Sequence, residues 1–379
     1  MIQISVIVPL YKGKCYIEPM IEQIYVAAKK VDGIVELLFV NDYPKELIDI
    51  NEKKDNLLIR TIKTEKNRGI HGARAYGYNE SNGEFVLFLD QDDEIVEDYF
   101  ESQLLTITSA DAVVCQGEIN DELIYPSFEI MQKLVNKQKI LSERNYIISP
   151  GQVLIKRKAV SRFWLENIIH NNGADDWFLW LCMFNESKKM VLNDKLLYRH
   201  VLHNKNTSAN VLNMYSSVVE VGFVVRKSNL FSKNIVSKIC KATDLICKDL
   251  NEIYDRQQNM NGLYSRWIQL QFNNRSIGSF IKRYGYKSVA IYGAGEIGTF
   301  ILRDLKKDDI EIEYFVDRKK SGIIMEKKIL SPNDNLPHVD LFIISLLQNE
   351  ESVKSLLKEF GMKNIYTINE IIDLLYGTL

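Results

Sequence analysis

The chain reads Gly83-Glu-Phe-Val-Leu-Phe-Leu-Asp90-Gln91-Asp92-Asp93 over eleven of its 379 residues, and this stretch indicates the fold of its first part. The apolar run at 85–89 is typical of a strand buried on both faces of a sheet. Side chains alternate along a strand, so Asp90 and Asp92 would point to the same side. Converging carboxylates repel each other unless a cation lies between them, and oxygen ligands suit Mg²⁺ or Mn²⁺. The stretch predicts either a cation site or a solvated acidic turn.

The residues that precede this strand predict an α/β fold with a mostly parallel sheet. Ile2–Leu10 is rich in β-branched residues and is closed by Pro9, and two further apolar runs occupy 35–40 and 57–62. Residues 17–30 carry apolar side chains at helical spacing. Strand, helix, strand and strand joined by right-handed crossovers give a mostly parallel sheet, with ligands expected at the carboxyl ends of its strands.

A glycine-rich segment lies between the third and fourth predicted strands. It reads Asn67-Arg-Gly-Ile-His-Gly-Ala-Arg74-Ala-Tyr-Gly77 and is typical of a loop that enters a helix whose N-terminus can face a phosphate. Arg74 lies inside this helix and offers a planar, permanently charged donor. A surface arginine on the helix is the alternative.

Four elements in this order resemble the GT-A nucleotide-sugar glycosyltransferases of family 2. They are Val8-Pro9-Leu-Tyr11, Val40-Asn41-Asp42, Asn67-x-Gly69 with Ala73-Arg74-x-x-Gly77, and Phe88-Leu89-Asp90-Gln91-Asp92-Asp93. The chain departs from the family pattern at Lys12, Asn41 and Ala75, where the family usually has Asn, Asp and Asn. The resemblance implies a GT-A nucleotide-diphospho-sugar transferase fold and transfer from a nucleotide sugar.

The resemblance also implies roles for individual residues. The expected nucleotide-sugar-binding residues are Pro9, Tyr11, Asp42, Arg74, Asp90 and Gln91. Asp90 would contact the ribose, Asp92 would hold Mn²⁺ or Mg²⁺ on the diphosphate, and Asp93 would support the other two or cap the strand end. A bound metal ion would neutralise the charge of the leaving diphosphate.

Asp175-Asp176-Trp177 opens a second amphipathic helix. The family carries Glu-Asp-Trp here and uses a carboxylate as the general base, so the resemblance implies that Asp176 is the base, with Asp175 as the second candidate. A simple helix cap is the alternative. Family members often have Tyr-Arg-x-His near the place of Tyr198-Arg199-His200-Val-Leu-His203. His203 is the expected second ligand of the metal or diphosphate, Arg199 is a further candidate for that contact, and His200 is the alternative histidine.

The C-terminal part predicts a second α/β module. Gly293-Ala-Gly295-Glu-Ile-Gly298 follows a strand pattern and opens a helix, and Asp317 ends the next predicted strand. This part resembles the small Rossmann-like modules attached to bacterial sugar-modifying enzymes. Gly293, Gly295, Gly298 and Asp317 would therefore bind a nucleotide of unknown identity. A structural role, including the formation of a homo-oligomer, is the alternative.

Composition sets the remaining expectations. A net charge of -2 gives no global sign of a nucleic-acid partner, and five cysteines without CxxC spacing are typical of reduced thiols in the cytoplasm. We expect neither a signal peptide nor a membrane-spanning segment. The predicted domains are a transferase domain at 1–210, a helical linker at 211–285 and the Rossmann-like module at 286–379. Residues 226–287 hold 12 Lys and Arg against 4 Asp and Glu, which fits a solvated linker or contact with the inner face of the membrane.

The sequence therefore predicts an inverting, metal-dependent glycosyltransferase. It would move a sugar from a nucleotide diphosphate, with UDP expected, to a hydroxyl of a glycan or lipid-linked glycan acceptor in surface polysaccharide synthesis. One alternative is an NAD(P)-dependent sugar-nucleotide-modifying enzyme that works through the C-terminal module. The other is a non-catalytic scaffold for glycan assembly.

Overall fold

The computed structural model describes residues 2–202, 206 and 210–377. The chain divides into two compact units, Met1–Glu252 and Ile253–Leu379. The division into three domains that the sequence suggested stays a prediction. His203, the expected second metal ligand, lies outside the described residues.

The first unit is built on one sheet. Its described strands are β1 (Ile2–Leu10), β2 (Ile34–Asn41), β3 (Asn51–Lys54), β4 (Leu57–Lys63), β5 (Phe85–Phe88), β6 (Glu94–Ile95), β7 (Ala112–Ile119), β8 (Glu122–Leu123), β9 (Val153–Lys156) and β10 (Met190–His200). The order across the sheet is β3-β4-β2-β1-β5-β9-β7-β10-β6, and β8 pairs with β7.

The sheet is mixed, so the expectation of a mostly parallel sheet was wrong. β4, β2, β1 and β5 are parallel as predicted, and β7 is parallel to β10. β9 lies between β5 and β7 and is antiparallel to both. The chain passes through α4 (Phe128–Met131) and α5 (Lys137–Ser142) after β7 and enters β9 through a short 3-10 turn, Pro150–Gln152. The predicted α/β class is nevertheless confirmed.

Helices cover the sheet of the first unit. They are α1 (Ile17–Ala28), α2 (Gly69–Glu80), α3 (Tyr99–Ile107), α4 (Phe128–Met131), α5 (Lys137–Ser142), α6 (Arg162–Glu166), α7 (Asp175–Asn185) and α8 (Val211–Lys227). α9 (Lys233–Phe272) begins in the first unit and ends in the second. Alternation along the strands produces two apolar layers: Ile7 and Leu38 lie in one, and Val6 and Leu37 lie in the other.

The second unit is a smaller α/β structure. Its described strands are β11 (Val289–Tyr292), β12 (Phe315–Val316), β13 (Gly322–Ile324), β14 (Lys327–Leu330), β15 (Leu341–Ile344) and β16 (Ile365–Thr367). Its helices, besides the end of α9, are α10 (Ile277–Tyr284), α11 (Glu296–Lys306), α12 (Glu350–Glu359) and α13 (Ile368–Tyr376). The order is β13-β14-β12-β11-β15-β16, and only the β13–β14 hairpin among these pairs is antiparallel. No helix within the described ranges has the length and apolar character that a membrane crossing requires.

Candidate active site

The predicted nucleotide-site residues follow three strands that are adjacent in the sheet. Tyr11 follows β1, Asp42 follows β2, and the acidic stretch follows β5. β1 pairs in parallel with both β2 and β5, so all three strands end at the same edge. This is the edge at which open α/β sheets bind ligands.

Arg74 is the centre of a buried ion cluster. Its side chain is 3% exposed, and its guanidinium donates to Asp175 at 2.6 Å and to Asp90 on the other side. Burial alone would lower the pKa of Arg74, but the carboxylates of Asp175 and Asp90 outweigh burial and raise it. Arg74 therefore joins the end of β5 to the start of α7. Its predicted contact with a nucleotide stays a prediction.

The two carboxylates at the start of α7 differ in their partners. Asp175 is held by Arg74. Asp176 accepts hydrogen bonds from Asn145 Nδ2 at 3.0 Å and from the backbone N–H of Trp177 at 2.6 Å. Burial, followed by the charge of neighbouring Asp175, raises the pKa of Asp176 to about 7. A carboxyl group with a pKa near neutrality suits general base catalysis, and the role of Asp176 as the base stays a prediction.

Glu220 of α8 holds the loop in front of these carboxylates. Its carboxylate accepts from the backbone N–H groups of His170 and Asn171, both at 2.9 Å, and from their side chains at 3.0 and 2.8 Å. Ser217 Oγ, one helical turn earlier, accepts from the backbone N–H of Ala174 at 2.9 Å. α8 thus fixes the backbone that leads directly into α7.

His71 of α2 anchors the other side of the same loop. The backbone N–H of Ile169 donates to Nδ1 at 2.8 Å, so the ring proton lies on Nε2, which donates to the carbonyl of Trp164 at 3.1 Å. Burial lowers the pKa of His71 to about 4, and the neutral ring stacks on Trp164 at 4.2 Å. His71 is therefore a structural histidine.

Asp93 organises the end of β10. It is buried and accepts from Tyr198 Oη, from His200 Nδ1 at 2.9 Å and from Ser149 Oγ at 3.3 Å. The hydrogen bond to Asp93 raises the pKa of His200. Because Nδ1 faces Asp93, Nε2 is the ring nitrogen of His200 that can turn to a ligand, and metal-binding histidines commonly use their second nitrogen in this way. Arg199 instead pairs with Glu118 and Glu94 at 2.7 and 2.9 Å.

An aromatic pair lies at the end of β1. The Tyr11 ring is 47% exposed and meets Tyr43 edge to face at 5.4 Å. Lys12 Nζ lies 5.4 Å from each ring centroid, and Gln91 Oε1 accepts from the backbone N–H of Tyr11 at 3.0 Å. An exposed tyrosine ring can stack on a planar base. Pro9 is half-buried inside β1.

Asp42 is buried beside this pair, and its carboxylate accepts hydrogen bonds from the loop that precedes α2. It accepts from the Arg68 N–H at 2.8 Å and from Thr64 Oγ1 at 2.9 Å. Burial raises the pKa of Asp42 although these donors oppose the rise. Asp42 therefore fixes the loop that enters α2, and its contact with a nucleotide stays a prediction.

Comparison with known proteins relates the first part of the chain to an enzyme family. Residues 5–164 match the family model described as glycosyl transferase family 2. The matched residues make up less than half of the chain. The match includes the ends of β1, β2 and β5 and all of α2. The predicted enzyme class is confirmed, and so is the GT-A fold of the first unit.

Individual proteins and solved structures are similar to parts of this chain. An uncharacterised glycosyltransferase of Haemophilus influenzae is 26% identical over 61% of this chain and 84% of its own length. A GalNAc(5)-diNAcBac-PP-undecaprenol beta-1,3-glucosyltransferase of Campylobacter jejuni is 22% identical over 61% of this chain and 77% of its own. Among solved structures, the chain of S. aureus TarS 1–349 with UDP-GlcNAc is similar with a TM-score of 0.45 and 18% identity, over 63% of this chain and 72% of that chain.

The first unit contains side chains that could contribute to a metal site without completing one. No group of three His, Cys, Asp or Glu side chains in the described ranges is arranged to hold a metal ion. Mg²⁺ sites of phosphate-transfer enzymes commonly use one or two carboxylates and complete their shell with substrate phosphates. Asp92 at the end of β5, together with Nε2 of His200, provides suitable donor chemistry for such a shared site.

The glycine turn of the second unit has the expected local geometry. Gly293 has φ +107°, and a Cβ on Gly298 would lie 2.0 Å from the carbonyl oxygen of Gly293, so both positions require glycine. Burial raises the pKa of Asp317, but backbone N–H groups of Lys319, Ala294 and Lys320 outweigh burial and lower it. Asp317 thus holds the turn itself, and its contact with a nucleotide stays a prediction.

Sequence reasoning missed Glu220, Asn145 and Tyr43. Glu220 lies 50 residues after His170, and no local motif connects them. A weak signal existed, because Glu220 is the one acidic residue of α8, whose sequence is otherwise largely apolar. Tyr43 directly follows the Asn41-Asp42 pair, so its place near the site could have been predicted from the sequence.

Proposed function

We propose that this glycosyltransferase moves a sugar from a nucleotide diphosphate to a hydroxyl group of a glycan or lipid-linked glycan, with inversion at the anomeric carbon. The observation that carries the proposal is the pair at the start of α7. Asp175 is fixed by Arg74, whereas Asp176 is a buried carboxyl with a pKa of about 7. Through Arg74 the same cluster reaches Asp90 at the end of β5.

The reaction follows from these positions. Asp176 takes the proton of the acceptor hydroxyl while its oxygen attacks the anomeric carbon. The bond to the diphosphate breaks on the opposite face, so the configuration inverts. Tyr11 and Tyr43 would stack on the base, with UDP as the expected nucleotide. A divalent ion held by Asp92 and His200, when bound, would neutralise charge on the leaving diphosphate.

The proposed acceptor rests on the names of relatives rather than on particular residues of this chain. The Campylobacter jejuni relative is named for a glycan linked through diphosphate to undecaprenol, and a Photorhabdus laumondii relative is named an undecaprenyl-phosphate 4-deoxy-4-formamido-L-arabinose transferase. These names support a lipid-linked acceptor and a place in surface polysaccharide synthesis. With a lipid-linked acceptor, we expect the enzyme to work at the inner face of the membrane.

Nucleotide release from a panel of nucleotide sugars tests this function. The wild type should release UDP from one donor in the presence of Mn²⁺ or Mg²⁺, and Asp92→Ala should lose the metal-dependent release, because a neutral side chain cannot hold the cation at the diphosphate. Glu97→Ala is the matched control, since Glu97 is exposed and pairs with Lys30 on the surface. Full metal-dependent release by Asp92→Ala would remove Asp92 from the mechanism.

The second unit supports a further candidate, the binding of a nucleotide at the glycine turn. An added Cβ on Gly295 would find no atom of the described chain within 4 Å, and the backbone there has φ -86°, which any residue adopts. The turn therefore presents open space at the N-terminus of α11, where a phosphate is favoured.

Gly295→Val should abolish this binding without unfolding the unit, because valine fits the backbone but fills the space above the turn. Fluorescence titrations of both proteins with NADH and with UDP-sugars measure the effect. Saturable NADH binding by the wild type alone would support the NAD(P)-dependent alternative, and UDP-sugar binding alone would support a sugar-nucleotide site. If wild type and Gly295→Val bind these nucleotides with equal affinity, the glycine turn is not the binding site. Nucleotide-sugar binding by the whole protein without any turnover would favour the scaffold alternative.

A further inference from the structure

α8 carries apolar residues on two opposite faces. Val218, Val221 and Val225 are buried against the core of the first unit. Leu212, Val219 and Phe223 are 56%, 44% and 55% exposed, and their spacing of seven and four residues places them on one outward face. A surface helix normally presents polar residues outward, so this outward face is unusual.

Two cations border this outward face, and the first of them, Arg226, donates to Cys240 Sγ at 2.9 Å and interacts with the charge of Asp244. Arg226 and Lys227 are exposed at the C-terminal end of α8, and Lys227 Nζ lies 4.2 Å from the ring centroid of Phe223. Glu220, the one acidic residue of the helix, is engaged with the loop before α7. An apolar face bordered by cations is the composition of helices that lie in the surface of an anionic bilayer.

The outward face belongs to the helix that holds the base-bearing loop. Ser217 and Glu220 bind the backbone of Ala174, His170 and Asn171, and Asp175 and Asp176 follow at once. A surface bound by α8 would therefore lie next to the segment that carries the proposed base. This matters because a lipid-linked acceptor is confined to the membrane.

We propose that the outward face of α8, defined by Leu212, Val219 and Phe223 with Arg226 and Lys227, docks on an anionic membrane surface. The relevance to catalysis rests on the proposed function with its lipid-linked acceptor, but the docking itself does not. A second copy of the chain is a poorer fit, because three apolar side chains fall well short of the roughly 800 Å² per partner of a stable interface. A bilayer requires no complementary shape.

Vesicle sedimentation with the full chain tests the proposal. The protein should bind vesicles of phosphatidylglycerol and phosphatidylcholine more strongly than vesicles of phosphatidylcholine alone, and binding should weaken with added salt. Phe223→Ser should lower the partition coefficient about tenfold, since the variant lacks an exposed aromatic side chain that the bilayer would bury. Each of Arg226→Ser and Lys227→Ser should lower it about fivefold on the anionic vesicles. Leu105→Ser is the matched control, because Leu105 is a 70% exposed leucine of α3.

The outcomes separate docking from catalysis. Equal partition of wild type and Phe223→Ser, or an equal loss in Leu105→Ser, would overturn the proposal. So would a dimer in light scattering that Phe223→Ser dissociates, because the face would then bind a second copy. Nucleotide release in the absence of vesicles should be the same for wild type and Phe223→Ser. Vesicle binding by a protein that releases no nucleotide would overturn the proposed function and leave the docking intact.

Discussion

Asp176→Asn should lower kcat for sugar transfer by about 10²- to 10⁴-fold, the range over which a positioned general base acts. The amide cannot take the proton of the acceptor hydroxyl. In the wild type, kcat should rise with pH through about 7 and then level off, because burial and the adjacent Asp175 raise the pKa of Asp176 to about 7 and only the ionised form is a base. Initial rates at saturating donor and acceptor from pH 5 to 9 measure both effects.

The stability of the two proteins provides the control for this prediction. A carboxyl whose pKa is higher in the folded chain binds more protons when folded, so it lowers stability as the pH rises from about 4 to about 7. Asp176→Asn should lack this loss, and its inactivity at pH 8 should therefore not come from unfolding. Glu101→Gln alters an exposed acid in the first turn of α3 and should change neither kcat nor the dependence of stability on pH. A pH profile that stays the same in Asp176→Asn would assign the base to another group.

Local features of the site could be predicted from the sequence. The run at 85–89 followed by Asp90 and Asp92 is visible because a buried strand needs consecutive apolar residues and ends where polar ones begin. The start of α7 is visible for a similar reason, since acidic residues favour a helix N-terminus. The nine-residue strand β1 follows from its β-branched residues, and the helices after residue 210 follow from apolar periodicity.

Long-range pairings could not be predicted in this way. Arg74 and Asp175 are 101 residues apart, and only the packing of α2 against the start of α7 makes them partners. β3 escaped notice because Asn51–Lys54 is an exposed, wholly polar edge strand with no apolar signal. The direction of β9 was also hidden, since a short apolar run fits a parallel and an antiparallel strand equally well.

Arg74→Met should lower the free energy of unfolding of the first unit by about 3–5 kcal/mol, the usual cost of breaking a buried ion pair by removing one partner. Methionine keeps the volume of the side chain but leaves the carboxylate of Asp175 buried without its cation. Asp90 loses the same partner but is more accessible to water, so Asp175 should account for most of the loss. Urea unfolding followed by circular dichroism measures the change.

Two variants show whether the effect comes from an unpaired buried charge. Arg162→Met removes an arginine from the exposed pair with Glu166 and should leave the urea midpoint unchanged, because exposed pairs contribute little. Arg74→Met combined with Asp175→Asn removes both charges and should be more stable than Arg74→Met alone. If the double variant is instead less stable than the single one, Arg74 contributes through packing rather than through charge. The connection from the end of β5 to the base-bearing helix would then depend on the shape of this side chain.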